Sequence, residues 1–134
     1  MTSTIEYLGD LRTAAIHLAS KKNILSDAPV DNQGKGEAFS PTDLVATALG
    51  SCLLTIMGIK AGDMEVEIKG TTALVSKVMG SAPRRISEIN ITVTMSNSFD
   101  QKTQKILEKA ALSCPVANSL HSDLKQNIRF IWPC

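Results

Sequence analysis

The longest run of uncharged positions in this chain lies between Asp43 and Lys60 and contains one thiol, Cys52. A helix that is apolar on nearly every side must be buried on nearly every side. The run is too short, and too rich in Gly, Ser and Thr, for a bilayer span, so no membrane association is expected. The pattern therefore predicts a buried core helix with Cys52 in its interior.

The start of this helix is marked by capping residues. Ser40 suits the N-cap, Pro41 the first helical position, and Asp43 the acidic position of a capping box. The helix is therefore predicted to begin at Pro41. Gly50 and Gly58 each cost about 1 kcal/mol of helix stability relative to Ala, which indicates close packing of another backbone there.

The N-terminal part of the chain has a β pattern followed by a loop composition. Residues 4–18 mix β-branched, apolar and polar side chains and predict one strand, with a short second strand around residues 24–26. Residues 27–37 contain Pro29, Gly34 and Gly36 among polar neighbours and predict a loop. A loop of this length beside a core helix often carries function.

The second half of the chain alternates in the manner of strands. Residues 64–69 place apolar and charged side chains on opposite sides, which predicts a half-buried strand running on to residue 78. Residues 86–96 predict a second strand, which pairs with the first in an antiparallel hairpin with one solvated face. Residues 125–132 predict a final strand.

A second helix is predicted over residues 100–113, with Cys114 and Pro115 directly after it. The residue before a proline is disfavoured in helical geometry. Either the helix kinks there, or it stops and Pro115 opens a new short turn over residues 116–120. In the second case Cys114 is the N-cap of that turn.

The length, the net charge and the spacing of the cysteines limit the class of protein to which this chain can belong. A chain of 134 residues predicts a single domain, and a net charge of +1 without a basic cluster argues against nucleic-acid binding. The first residues show no secretory signal, so we expect a reducing cytoplasm. The cysteines, at positions 52, 114 and 134, form no Cys-x-x-Cys pair.

The two internal cysteines are the candidates for chemistry. A buried thiol is inert unless a cation or oriented N–H groups reach it, and Cys52 lies too far from its helix N-terminus to use the helix dipole. Arg12, a cation among apolar neighbours, is the first choice of partner. Cys114 could receive backbone N–H groups at the start of a turn, which favours it as the more acidic thiol. Cys134 is a terminal, mobile thiol.

Other polar residues have structural explanations. The histidines, His17 and His121, lack the ligand spacing of a metal site, so no metal is expected, and no motif points to a cofactor. Asp43 is accounted for by the capping box, so a catalytic role would be additional. A third interpretation of the histidines and cysteines is that the protein binds a metal.

Two segments in order resemble a known family. The run SPTDLVATALGSC, continuing as LLTIMGIKA, resembles the first motif of the OsmC/Ohr family, the osmotically inducible and organic hydroperoxide resistance proteins. The segment LEKAALSCPVANSL resembles its second motif, a helix ending at Cys-Pro. The resemblance implies an α/β (α+β) fold built as an intertwined homodimer, with long buried central helices enclosed by antiparallel sheets.

The family's activity is thiol-dependent reduction of hydroperoxides, organic ones preferentially. By matching position, the resemblance implies that Cys52 is the peroxidatic thiolate, which becomes a sulfenic acid, and that Cys114 is the resolving thiol, which condenses with it into a transient disulfide. A dithiol reductant, lipoyl-linked in well-studied members, would restore both thiols.

One position departs from the family. Hydroperoxide-resistance members carry a glutamate after the motif's proline, where it orients an arginine onto the reactive sulfur, whereas this chain has Thr42. Asp43 could replace that glutamate only by leaving its capping role, and Glu37 in the preceding loop is the alternative. Arg12 is the arginine that the resemblance assigns. A non-catalytic redox sensor, or a protein that binds apolar small molecules on the same fold, is the competing interpretation.

Overall fold

The computed structural model describes all 134 residues, which form two compact units, residues 1–45 and 46–134. The first unit contains an antiparallel sheet in the order β1 (Ser3–Gly9), β2 (Arg12–His17) and β3 (Asn23–Asp27), followed by a short 3-10 turn at Val30–Asn32.

The segment predicted as one strand is therefore a hairpin, and that prediction is wrong. Asp10 and Leu11 form its tight turn with φ of 53° and 62°. Both central residues of this kind of turn need positive φ, a conformation that glycine and asparagine usually supply. The turn reverses the chain directly before Arg12.

The helix α1 (Pro41–Asp63) begins at the predicted residue. The amide of Asp43 donates to Ser40 Oγ at 3.0 Å, and the amide of Ser40 donates to Asp43 Oδ2 at 3.0 Å. These reciprocal bonds are the capping box. Because both are formed, Asp43 occupies the structural role that its position predicts.

The end of α1 explains why the predicted strand at residues 64–69 does not form. The amide of Val66 donates to Ala61 O, that of Glu65 donates to Gly62 O, and Glu65 has φ 56°. This is a Schellman cap, in which the residue after the C-cap is left-handed. Met64, Val66 and Ile68 still pack on the core as their alternation indicates, but from an irregular segment.

The second unit has a mixed sheet in the order β4 (Thr72–Gly80), β5 (Arg85–Thr94) and β6 (Lys125–Ile131). β4 and β5 form the predicted antiparallel hairpin, while β6 lies parallel to β5. Parallel neighbours need a long crossover, and here it contains the helices α2 (Gln101–Leu112) and α3 (Pro115–Ser119). The antiparallel arrangement thus holds for the first sheet and for the hairpin.

The core of the second unit lies between α1, α2 and the inner face of β5. Its largest fully buried side chains are Leu49, Leu53, Met57, Ile89, Ile91 and Leu107. Gly50 faces the side chain of Val75, which an added Cβ would meet at 2.9 Å, rather than another backbone.

Only one side of α1 is covered within a single chain. Ser51 and Thr55 lie on its exposed side, and Ile59 is 59% exposed. By length and composition alone α1 could cross a membrane, a test that core helices of soluble proteins also meet. The buried residues of α1, which pack on β5 and α2, are those of a core helix.

Candidate active site

Cys52 lies near the middle of α1, between the exposed side of the helix and the core of the second unit. Its side chain is half-buried, next to the fully buried Leu53. It is about three turns from the helix start, beyond the reach of the helix dipole. Its local chemistry must therefore come from neighbouring side chains.

Cys114 is the N-cap of α3 and is completely buried. The amide of Ala117 donates to Cys114 Sγ at 3.4 Å, and Pro115 occupies the first helical position. The second of the two predicted outcomes is thus observed: α2 stops, and Pro115 opens a new helical turn that Cys114 caps.

The two thiols are neighbours in the second unit. Both are free cysteines that pack in the same hydrophobic core, and Cys52 lies close enough to raise the pKa of the Cys114 thiol. Leu107 and Ala111 of α2 belong to the same buried cluster as Cys114, so the α2 side of this core is apolar. The fold therefore places two sulfurs together that are far apart in the chain.

Burial raises the pKa of the Cys114 thiol above its ordinary value, and the hydrogen bond and charge of Cys52 raise it further. The amides of Ala117 and Val116 act in the opposite direction but are outweighed. The expectation that the turn amides make the Cys114 thiol acidic is therefore wrong, although the predicted N–H contact exists.

Arg12 lies in the first unit within a cluster of two carboxylates. Its Nε donates to Asp27 Oδ1 at 2.6 Å and its Nη2 to Asp27 Oδ2 at 2.8 Å, a bidentate pair. Nη2 also donates to Glu37 Oε2 at 3.2 Å. Asp27 is 1% exposed and Glu37 is 66% exposed, so the first bond is enclosed and the second is open to solvent.

The loop between β3 and α1 sets the position of Glu37. The amides of Gly34 and Gly36 donate to Pro29 O and Ala28 O. An added Cβ at Gly34 would lie 1.7 Å from Ala28 O, so only glycine fits there. The amide of Glu37 then donates to Asp27 Oδ2 at 3.1 Å.

Asp27 is the residue of this cluster that the sequence analysis missed, because it was assigned to the loop. It ends β3 directly opposite Arg12 in the β2–β3 register. Opposite charges at paired positions of neighbouring strands attract each other, so the correct hairpin register would have identified the pair.

We expect the protein to lose stability as the pH falls, because Asp27 becomes protonated. The hydrogen bond from Arg12 lowers the pKa of Asp27 below its ordinary value. A carboxylate of lowered pKa stabilises the fold fully above its unfolded pKa and loses that contribution as the pH falls through the lower folded value. Wild type should therefore lose stability below about pH 4. Urea unfolding of Asp27→Asn should show a lower midpoint at pH 7 and a smaller loss on acidification, and equal losses in both proteins would contradict this.

The histidines do not join either cluster. His17 Nδ1 is bonded to Ser20 Oγ at 2.7 Å, and His121 Nδ1 accepts the amide of Asp123 at 3.0 Å. No group of three His, Cys, Asp or Glu side chains is placed to hold a metal ion. A groove beside α1, lined by residues between Leu54 and Thr71, contains neither internal thiol.

Taken together, the fold and the thiol pair define an α+β protein with one free cysteine on a long core helix and another at the start of the last crossover helix. The family model described as OsmC-like protein matches residues 34–129. The chain belongs to the OsmC-like family. No curated protein matches it.

Solved structures of similar proteins agree with this fold. A protein of Psychrobacter arcticus, named provisionally for an osmotic stress induced and detoxification response, is 60% identical with a TM-score of 0.95, covering 98% of this chain and 96% of that one. An OsmC like protein from Mycoplasma pneumoniae is 20% identical (TM-score 0.83, 98% and 96% covered). An organic hydroperoxide resistance protein OsmC from Legionella pneumophila is 13% identical (TM-score 0.76, 97% and 96% covered). The last two show the fold alone.

Proposed function

We propose that this protein is a thiol-dependent peroxidase that reduces organic hydroperoxides and so acts as an antioxidant. The observation that carries the proposal is the pair of free thiols, Cys52 and Cys114, which pack in the same core with Cys52 close enough to act on the pKa of Cys114. The substrate class follows the name of the Legionella relative, an organic hydroperoxide resistance protein.

The chemistry uses the two sulfurs in turn. The Cys52 thiolate attacks the terminal oxygen of the hydroperoxide, the O–O bond breaks, and the products are a Cys52 sulfenic acid and an alcohol. Cys114 then attacks the Cys52 sulfur, releasing water and forming a 52–114 disulfide. A dithiol such as a lipoyl group reduces that disulfide by exchange.

We further propose that the working form is an intertwined homodimer in the cytoplasm. Exposed apolar side chains support the dimer: Ile5 and Tyr7 on β1 are 66% and 64% exposed, and Ile59 on α1 faces outward too. Exposed apolar surface of this kind marks a protein contact. The free thiols match a reducing compartment.

In this proposal Arg12 is the cation that stabilises the Cys52 thiolate. Guanidinium groups suit this role because they stay charged and are held in a fixed plane by bidentate carboxylates. Asp27 supplies that bidentate partner and Glu37 a further one. Asp43, which remains in the capping box, is assigned no catalytic step.

One observation favours a second candidate, a redox sensor that is oxidised once and turns over slowly. Arg12 is bonded to two carboxylates, which offset its positive charge before it meets any thiolate. A weakly activated thiol reacts slowly with hydroperoxide, which suits a protein that is oxidised occasionally better than one that turns over rapidly. Repeated consumption of cumene hydroperoxide with a dithiol indicates the peroxidase, while a single oxidation per chain indicates the sensor.

Non-reducing peptide mapping after peroxide treatment tests the proposed pair directly. We expect a disulfide between Cys52 and Cys114 in wild type, and a sulfenic acid trapped at Cys52 in Cys114→Ser. Cys134 serves as the internal control because its thiol is exposed. A wild-type disulfide that contains Cys134 instead, or an unmodified Cys52, would refute the assignment.

A further inference from the structure

A cleft in the second unit takes no part in the proposed peroxide chemistry. It is formed by the start of β5 and by the turn between α3 and β6, and its volume is about 310 Å³. Pockets for small organic ligands begin at about this size. The residues that line it are Arg85, Ile86, His121, Asp123 and Leu124. The cleft therefore presents one cation and one anion beside two apolar side chains.

The Arg85 guanidinium is held in place by the tip of the β4–β5 hairpin. Its Nη1 donates to Ser81 O at 2.8 Å and to Pro83 O at 3.0 Å. An added Cβ at Gly80 would lie 3.0 Å from the same Nη1, so the guanidinium rests against a stretch of backbone that has no side chain. Both acceptors are uncharged carbonyls. The positive charge of Arg85 is therefore fixed in position without being neutralised.

Asp123 is placed by a tight turn that follows α3. The amide of Asp123 donates to His121 Nδ1 at 3.0 Å, and the amide of Leu124 donates to His121 O at 3.0 Å. A ring nitrogen that accepts a hydrogen bond carries no proton, so the imidazole in this turn is neutral and its N–H is at Nε2. Asp123 Oδ2 lies 3.8 Å from Nδ1. The imidazole therefore leaves the charge of the Asp123 carboxylate unmatched.

The two opposite charges face the same space but are held by different parts of the backbone. A ligand with only a carboxylate would be attracted by Arg85 and repelled by Asp123, and a ligand with only an ammonium group would meet the reverse. A neighbouring cleft of about 250 Å³, which Asp123 also lines, adds one charge of each sign, Glu88 and Lys125, and so does not alter this balance. A ligand that carries both groups satisfies both side chains.

We propose that this cleft binds a small zwitterion with an apolar body, of the kind represented by a free α-amino acid with a branched aliphatic side chain. The ligand carboxylate accepts hydrogen bonds from Arg85, and its ammonium group donates to Asp123. The aliphatic part packs on Ile86 and Leu124, whose side chains also pack on the core and so form a rigid base. The inference does not depend on the proposed peroxidase, because neither internal thiol lines the cleft.

Titration of the full chain with L-leucine, followed by two-dimensional ¹⁵N NMR, tests the site. We expect saturable shifts of the amides of Ile86, His121 and Leu124, with a Kd on the order of 1 mM, as for a small ligand in an open cleft. Two analogues keep the branched body and lose one charge each. 4-Methylpentanoate lacks the ammonium group and 3-methylbutylamine lacks the carboxylate, and each should bind at least about tenfold more weakly than leucine.

Two variants separate a charge contact from a general disturbance of the cleft. Arg85→Gln and Asp123→Asn should each weaken leucine binding by about tenfold. For 4-methylpentanoate the two should differ in sign: Asp123→Asn removes the repulsion and tightens binding, whereas Arg85→Gln weakens it further. A merely distorted cleft would weaken both ligands in both variants. Arg129→Gln and Asp63→Asn make the same changes at exposed positions outside the cleft and should stay within about twofold of wild type.

Three results would overturn the proposal. One is the absence of saturable shifts in wild type at leucine concentrations well above the expected Kd. Another is equal affinity of wild type for leucine and either analogue, which would show that one charge of the ligand is not recognised. The last is unchanged leucine binding in both cleft variants, which would place the ligand elsewhere on the protein. Peroxide turnover is measured without leucine, so none of these results bears on the proposed peroxidase.

Discussion

Replacing Cys52 by serine should abolish peroxide turnover. The serine hydroxyl is nearly isosteric with the thiol but does not ionise near neutral pH, and an activated nucleophile is what the first step requires. We expect dithiol-dependent consumption of cumene hydroperoxide to fall by at least about 10³-fold, to the rate without protein, as when a catalytic nucleophile is removed. The rate of turnover is measured as the initial rate of reductant consumption in a coupled assay.

The control for this variant is Cys134→Ser, which makes the same change at an exposed thiol. It should retain wild-type turnover. If Cys52→Ser kept a tenth of the activity while Cys134→Ser lost it, the terminal thiol would be the nucleophile and the proposed pair would be wrong. Circular dichroism of both variants checks that the helices remain.

Replacing Arg12 by lysine should slow the reaction of Cys52 with hydroperoxide by about 10²-fold. Lysine keeps the positive charge opposite Asp27 but cannot form the bidentate bond that fixes the plane of the guanidinium. We therefore expect a mispositioned cation rather than an unfolded protein. The measurement is the second-order rate of Cys52 oxidation as a function of pH.

The matched change is Arg129→Lys, at an exposed position of β6. It should leave the rate unchanged over the whole pH range. An unchanged rate in Arg12→Lys would remove Arg12 from the site and favour the redox-sensor interpretation. If Asp27→Asn slows the reaction as Arg12→Lys does, the result would support positioning of Arg12 by Asp27.

Local rules predicted those parts of the site that depend on neighbours in the chain. Ser40, Pro41 and Asp43 specify the start of α1 because a capping box needs only three positions. The cap at Cys114 was one of the two outcomes that a proline directly after it allowed. The contact between Cys52 and Cys114 came from the family resemblance, since no local rule joins two residues so far apart.

The failures come from residues in conformations that their types rarely adopt. Leu11 and Glu65 have positive φ, and neither gives a turn signal as glycine does. Because these two residues were not recognised as turn residues, one strand was predicted in place of the β1–β2 hairpin. For the same reason a strand was predicted in place of the C-cap of α1. Asp27 was missed for a different reason: the strand that is β3 was predicted to end at residue 26, so the pairing of Asp27 with Arg12 in the β2–β3 register was not recognised. The direction in which the pKa of Cys114 shifts was misjudged because burial cannot be obtained from the sequence around Pro115.

The parallel pairing of β5 with β6 also has a consequence for synthesis. β6 is the last strand of the chain and can join its neighbour only after the crossover with α2 and α3 has been made. In the same way, Cys52 leaves the ribosome before Cys114 has been added to the chain. A product released before Cys114 has been added would hold a thiol with no resolving partner, open to irreversible oxidation to the sulfinic acid.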